Sequence, residues 1–358
     1  MTDAPEPRAN PDLAGHAAAE RAFLDAWNSG RLAHSWLICG PKGIGKATLA
    51  YRIARFVLAG GGAGGLFGGP DTLALPPEHP VFHRVASGGH ADLRVVQRGL
   101  TDDRQVKRRG EIVVDEVRCV GAFLSLTPAE GGWRVVVIDA ADEMNRNAAN
   151  AVLKVLEEPP RNALMVLVSH SPGRLLPTIR SRCRRLTLQP LSEAVVADLV
   201  QRWRPDLIDG DVAALARLAE GSVGKALALA AEGGLDLYRD MVGLLGNLPR
   251  LDVPALHAFA DRVGRADSEA AWRTVTELFA WWLARLVRAG GRGGGGMAEV
   301  VAGEGAVMGR LLAAGGLEQW LHVWEKVTTL FARADAVNLD RKQTLLTAFL
   351  AVERPARG

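Results

Sequence analysis

Three cysteines in 358 residues are too few for a disulfide scaffold. Cys39, Cys119 and Cys183 are an odd set at wide spacing, so they build neither a disulfide framework nor a metal knuckle. Such sparing use fits a reducing cytoplasm, where the chain is expected to reside. No apolar run reaches membrane-spanning length, so no membrane partner is expected. Met1 to Pro11 is polar and proline-bearing, without the apolar centre of a signal peptide. Charge of one sign is also missing. Forty-three Lys and Arg face 40 Asp and Glu, and the net +3 does not by itself signal nucleic acid. Only seven of the basic residues are lysine, which beside so much alanine and glycine reads as coding bias.

The most informative absence is a single hydroxyl. Gly40-Pro41-Lys42-Gly43-Ile44-Gly45-Lys46-Ala47-Thr48 follows the phosphate-loop pattern G-x-x-x-x-G-K-[ST] until its last position, where alanine stands at 47. The apolar run Trp36 to Cys39 supplies the strand before it, and Thr48 to Ala54 the helix after it. Glycines let backbone N–H groups close around phosphate oxygens, and the helix N-terminus adds partial positive charge. Lys46 would reach the β- and γ-phosphates. The hydroxyl that ordinarily binds Mg²⁺ is gone, and Thr48 comes one residue late, turned about 100° around the helix. The loop is one that could hold ATP but is poorly built to hydrolyse it.

A second group is missing downstream. Trp133 to Ile138 is largely apolar and ends in Asp139, as in a central parallel strand buried on both faces. Asp139 can occupy the Mg²⁺-holding position of such sites. The next residue, where hydrolysing relatives carry the glutamate base, is Ala140. Asp142 and Glu143 come too late to sit beside a γ-phosphate. Metal positioning and general-base catalysis each carry orders of magnitude in rate, so the loss of both points to a silent site.

Helical patterns appear over 12–34, 111–127 and 147–158, the last stopped by Pro159-Pro160, and Leu164 to Val168 reads as another buried strand. Alternating strands and helices predict a doubly wound α/β domain whose ligand crevice lies at the strand C-terminal ends. After Leu188 the chain turns all-helical, with a helical pair over 213–231, then a Trp-rich region interrupted by a Gly290–Gly296 linker. Residues 60–70 are glycine-rich and read as a surface excursion. The basic run Arg104, Lys107, Arg108, Arg109 is a solvated loop or a phosphate-backbone contact. On local sequence alone, Arg182 is one surface arginine among Arg174, Arg180, Arg184 and Arg185.

Two long blocks change that reading. Asn150 to Pro160, ending Leu-Glu-Glu-Pro-Pro, and Leu175 to Cys183, ending Thr-Ile-Arg-Ser-Arg-Cys, resemble bacterial sliding-clamp-loader subunits of the AAA+ class. Gly30 to His34, His79-Pro80 with His90-Ala91-Asp92, and Asn338 to Gln343 resemble the non-motor, stator branch of that class. The resemblance implies a RecA-like AAA+ P-loop domain over 1–188, a small helical lid over 189–235 and an all-α collar over 236–358 that builds a hetero-oligomeric ring. It implies a stator of the DNA polymerase III clamp loader, with the gamma/tau motor and delta subunits, the sliding clamp and primed DNA as partners. Arg182 would act in trans as an arginine finger on ATP held by the adjacent motor subunit. Motor subunits keep a sensor arginine where Gly224 stands here. Alternatives are an active ATPase motor and a nucleotide-binding regulator outside replication. Many relatives carry a four-cysteine zinc module, whereas residues 60–77 contain no cysteine, so no zinc is expected.

Overall fold

A computed structural model of the chain describes residues 4–61, 69–100, 109–130, 132–265, 267–291 and 298–357. The chain divides into two units, one comprising residues 1–205 with 220–224 and the other 206–219 with 225–358.

The first unit runs α1 (Ala17–Asn28), β1 (Ser35–Cys39), α2 (Lys46–Leu58), α3 (Pro80–Ser87), β2 (Leu93–Val96), α4 (Val114–Ser125) and β3 (Arg134–Asp139). It continues with α5 (Arg146–Glu157), β4 (Ala163–Ser169), α6 (Pro177–Arg180), β5 (Arg184–Thr187) and α7 (Glu193–Trp203). The strands form one parallel sheet in the order β2-β3-β4-β1-β5. β1 and β4 are buried at every position, and β3 at every position before Asp139. That follows from their unbroken apolar sequence, since helices cover both faces of such a sheet. Side chains alternate between the two layers. Trp36, Ile38, Val135 and Val137 pack with Phe23 of α1 and Leu49, Ile53 and Phe56 of α2. Leu37, Cys39, Val136 and Ile138 pack with Val117 and Val120 of α4 and Val152 and Leu156 of α5.

The register fixes where the strands end. Cys39 lies opposite Ser169 of β4, and Asp139 lies opposite Val168. The loop after β1, the residue ending β3 and the residues after β4 therefore share one rim, with β4 in the middle. This is the RecA-like α/β arrangement the sequence implied. Several boundaries differ. Helix α1 begins at Ala17, and residues 12–16 form a non-helical strap instead. The expected helix over 111–127 is Val114–Ser125. Strands β2 and β5 went unanticipated because each is only four residues long with a single buried position, and Arg184 and Arg185 of β5 are exposed.

The second unit is helical: α8 (Asp209–Ala219), α9 (Val223–Ala231, its first two residues in the first unit), α10 (Gly234–Gly246), α11 (Val253–Gly264), α12 (Glu269–Gly291), α13 (Glu304–Ala314), α14 (Leu317–Val337) and α15 (Arg341–Ala356). Helix α12 runs through Gly290 to Gly291, and the remainder of the expected linker lies outside the described residues. So do the glycines over 62–68, and Arg104, Lys107 and Arg108 of the basic run. The boundary between units falls inside 189–235, and that stretch contributes to both.

The tryptophans divide as core and rim. Trp272, Trp282 and Trp320 are buried, while Trp281 and Trp324 are half-buried. Phe279 meets Phe331 and Phe349 edge-on at 5.8 and 4.9 Å, joining α12, α14 and α15. Among these helices lies a buried ionic cluster. Arg285 of α12 donates to both oxygens of Glu304 at 3.2 and 3.3 Å and to the Ala298 carbonyl at 2.7 Å. The Tyr238 hydroxyl donates to Glu304 as well. The backbone of Val300 donates to Glu304 at 2.8 Å, so one carboxylate gathers α10, α12 and the segment entering α13. Removing one partner of a buried pair leaves the other charge uncompensated. Glu304→Ala should therefore cost about 3–5 kcal/mol in urea unfolding of the full chain. A change below about 1 kcal/mol would show that the cluster holds little.

Candidate functional site

The phosphate loop leaves β1 at Cys39 and enters α2 at Lys46. Gly43 and Gly45 adopt positive φ, at +77° and +104°, which L side chains rarely tolerate. Gly45 caps the N-terminus of α2. The loop is held from two directions. On one side, Nε2 of His16 donates to the Ile44 carbonyl at 2.6 Å. His16 ends the strap, and two arginines of α2, Arg55 buried and Arg52 partly buried, hold the backbone just before it. Arg52 donates to the Pro11 carbonyl at 2.5 Å, and Arg55 to those of Arg8 and Asn10 at 2.8 and 2.7 Å. On the other side, segment 220–224 closes on the loop tip. The Ser222 hydroxyl donates to the Lys42 carbonyl at 2.8 Å, and the Gly224 N–H to that of Gly43 at 2.9 Å. The approach needs two glycines. A Cβ on Gly43 would come within 2.4 Å of Ser222 Oγ, and one on Gly224 within 2.9 Å of Gly43 Cα.

Lys46 is buried, and its ammonium donates to the Pro41 carbonyl of its own loop. Desolvation pushes its pKa down to about 8, against the opposing pull of Asp139 and Asp142. Asp142 itself is turned to the backbone. Its two oxygens accept from the His170 and Ser171 N–H groups, both at 2.9 Å, bracing the end of β4. Glu143 pairs with Arg98 at 2.8 Å. Neither acid substitutes for the base missing at Ala140, which is itself buried.

His170, unanticipated from sequence, follows β4 directly. Burial lowers its pKa, and Lys46 and Lys42 add to the effect, so its ring is neutral at physiological pH. Its Nδ1 is buried without a protein partner. Lys46, the loop N–H groups and this orphaned nitrogen match a phosphate. They do not match the Mg²⁺ of a hydrolysable nucleotide, because Ala47 offers no oxygen and Thr48 is turned inward, buried in α2. Of the sequence-expected residues, the loop from Gly40 to Ala47 and Asp139 therefore lie at one rim of the sheet, with Thr48 turned into the core.

Arg182 is elsewhere, on the turn between α6 and β5. The turn is anchored by Ile179, fully buried in the core layer that includes Leu156. Burial pushes the neighbouring Cys183 thiol up to about 12, so it is inert. The Arg182 guanidinium is half-exposed. It donates through Nη2 to Glu157 at 2.8 Å and through Nη1 to the Thr178 carbonyl at 3.0 Å. Among the described residues, no group of acidic, His or Cys side chains is arranged to hold a metal ion, and no helix is long and apolar enough to cross a membrane.

The parallel sheet, the loop between β1 and α2, and the acid ending β3 define an α/β domain with the RecA-like layout of P-loop NTPases. Residues 15–192 match the family described as DNA polymerase III, delta subunit. Over 174 residues the chain is 36% identical to the delta-prime subunit of DNA polymerase III from Pseudomonas aeruginosa, covering 49% of this chain and 48% of that protein. The Bacillus subtilis delta-prime subunit is also 36% identical, over 47% of this chain and 46% of its own length. The Escherichia coli delta-prime subunit is 34% identical over 58% and 57%. A tau subunit from Bacillus subtilis is 25% identical over 61% of this chain and 36% of that protein. The chain spans about half the length of the delta-prime relatives it matches. A solved structure of a DNA polymerase III gamma subunit-related protein from Thermotoga maritima covers 94% of this chain and 100% of its own, at 19% identity and a TM-score of 0.41. Residues 15–192 are thus similar to the delta and delta-prime subunits of DNA polymerase III.

The lowered pKa of Lys46 has a stability signature. Folded, it sheds its proton near pH 8; unfolded, near the ordinary 10.5. Between those values the unfolded chain holds more protons, so stability from this group rises with pH across the window and is constant below it. Lys46→Met should remove that rise, read as urea midpoints at pH 7.5, 8.5 and 9.5 compared with the parent. Parallel pH curves for the two proteins would contradict it.

Proposed function

We propose that this chain is the stator of a DNA polymerase III clamp loader, a subunit that completes a neighbour's ATP site while its own stays silent. The observation that carries the reading is the contrast between two places on one domain. The phosphate-loop site lacks the metal hydroxyl at 47 and the base at 140, and its loop tip is held by Ser222 and Gly224. The Ser181-Arg182-Cys183 turn offers a half-exposed guanidinium on a rigid support. Arginine presented to a transferring phosphoryl group stabilises charge that develops only in the transition state.

The partners in this reading are gamma/tau motor subunits, whose ATP receives Arg182, together with delta, the sliding clamp and primed DNA reached through the complex. The AAA+ domain, the lid over 189–235 and the collar over 236–358 would divide the work, with the collar building the ring. ATP at this chain's own loop would be weakly held and not hydrolysed through Mg²⁺, zinc would be absent, and the protein would act in the cytoplasm. The motor reading is not favoured, because Ala47 and Ala140 occupy the places of two hydrolytic groups and Gly224 that of a sensor arginine.

The test is Arg182→Ala in the reconstituted complex. The variant should fold and assemble, since a half-exposed arginine contributes little to stability. Its DNA-stimulated ATPase and clamp loading should fall by about 10-fold or more; single fingers in other NTPases are worth about 10³–10⁵, and several sites share the load here. Arg182→Lys should not restore the rate, because a point charge lacks the planar fork. Normal loading by the alanine variant would remove the trans-acting role.

A further inference from the structure

The partner of Arg182 is oddly chosen for stability alone. Glu157 is the last residue of α5, where the helix dipole disfavours a negative charge, and Glu158 adds a second one. The helix is fixed at both ends. Asn145 caps its start by accepting from Ala148 N at 3.0 Å, and Pro159-Pro160 stop it immediately behind the two acids. Leu156 beside Glu157 and Ile179 near Arg182 are buried in the same core layer, so both backbones are rigid where the pair projects. The pair itself is open to solvent, at 36% and 50% of side-chain exposure. Exposed ion pairs add little stability, yet this one defines a geometry.

That geometry occupies one part of the guanidinium. Of its five N–H donors, one on Nη2 meets Glu157 and one on Nη1 meets Thr178, and the others are left for another acceptor. A long arginine on a turn otherwise samples many rotamers, and holding it in one removes that disorder before an anion arrives.

We infer that Glu157 is a positioning residue for Arg182, holding the guanidinium by two of its donors so that the remainder face the phosphate of a neighbouring subunit. This rests on the trans-acting reading of Arg182 proposed above. The carboxylate touches no phosphate in this scheme and acts only through the arginine.

The experiment is a double-mutant cycle in the reconstituted complex, with ATP as substrate. Glu157→Ala should lower kcat by about 10-fold and leave the KM for ATP within about twofold, because a finger acts on the transition state. Glu157→Gln, which still accepts a hydrogen bond, should lose less. In an Arg182→Ala background, Glu157→Ala should change nothing further. Full loss in both backgrounds would show that Glu157 acts independently, and an unchanged kcat for Glu157→Ala beside a reduced one for Arg182→Ala would show that Arg182 needs no positioning. Either result overturns the inference while leaving the finger intact. An unchanged kcat for Arg182→Ala itself would instead defeat the underlying reading. Should Glu157→Ala not assemble, Glu157→Gln carries the test by keeping the shape; several-fold loss that vanishes in the Arg182→Ala background supports the inference, and no loss refutes it.

Discussion

β4 lies between β1 and β3, buried along its whole length, and the placement of every group at the crevice depends on that sandwich. Residues 163–168 pair in register with β3 and 165–169 with β1, so the phosphate loop, Asp139 and His170 reach the same rim. Continuous burial makes the register costly to change, because a slip by one residue would turn each inward side chain to the opposite layer. The frame of an NTPase is therefore preserved by packing, independently of whether the chemistry at its rim survives. That separation explains how a chain can keep the loop and the acid while losing the hydroxyl and the base.

At the rim, the polar groups bond to one another. Lys46 turns to Pro41, Asp142 to the backbone after β4, Glu143 to Arg98, and the loop tip to Ser222 and Gly224. The strap adds a second brace through His16. A buried lysine with its pKa brought down to about 8 is still largely charged at physiological pH and favours an anion nearby. Nothing in the donor set compensates for the missing metal oxygen. By contrast, Arg182 stands at the surface on an anchored turn, engaged through two donors only.

Much of this could be read from local sequence. The loop, Asp139, the buried strands and the helix ended by Pro159 are encoded within short windows, where glycine spacing and apolar runs have direct steric meaning. The missing oxygens were legible too, as alanines at 47 and 140. Short β2 and β5 were not, because half-exposed strands carry little apolar signal. The contacts that close the loop were hidden for a different reason. Ser222 and Lys42 are 180 residues apart, and no local pattern announces that two glycine-bearing turns will meet. The pairing of Glu157 with Arg182 joins two blocks that sequence reading treated separately. His170 gave no signal, since a lone histidine after a strand is more often structural than functional.

The claim at the centre of this account is that the chain keeps the nucleotide frame without hydrolytic chemistry. Its most direct test is steady-state ATP turnover by the purified chain alone, with Mg²⁺ and with or without primed DNA. The account predicts no turnover above the background of a Lys46→Ala control. Turnover at a rate typical of motor subunits, abolished by Lys46→Ala, would contradict it.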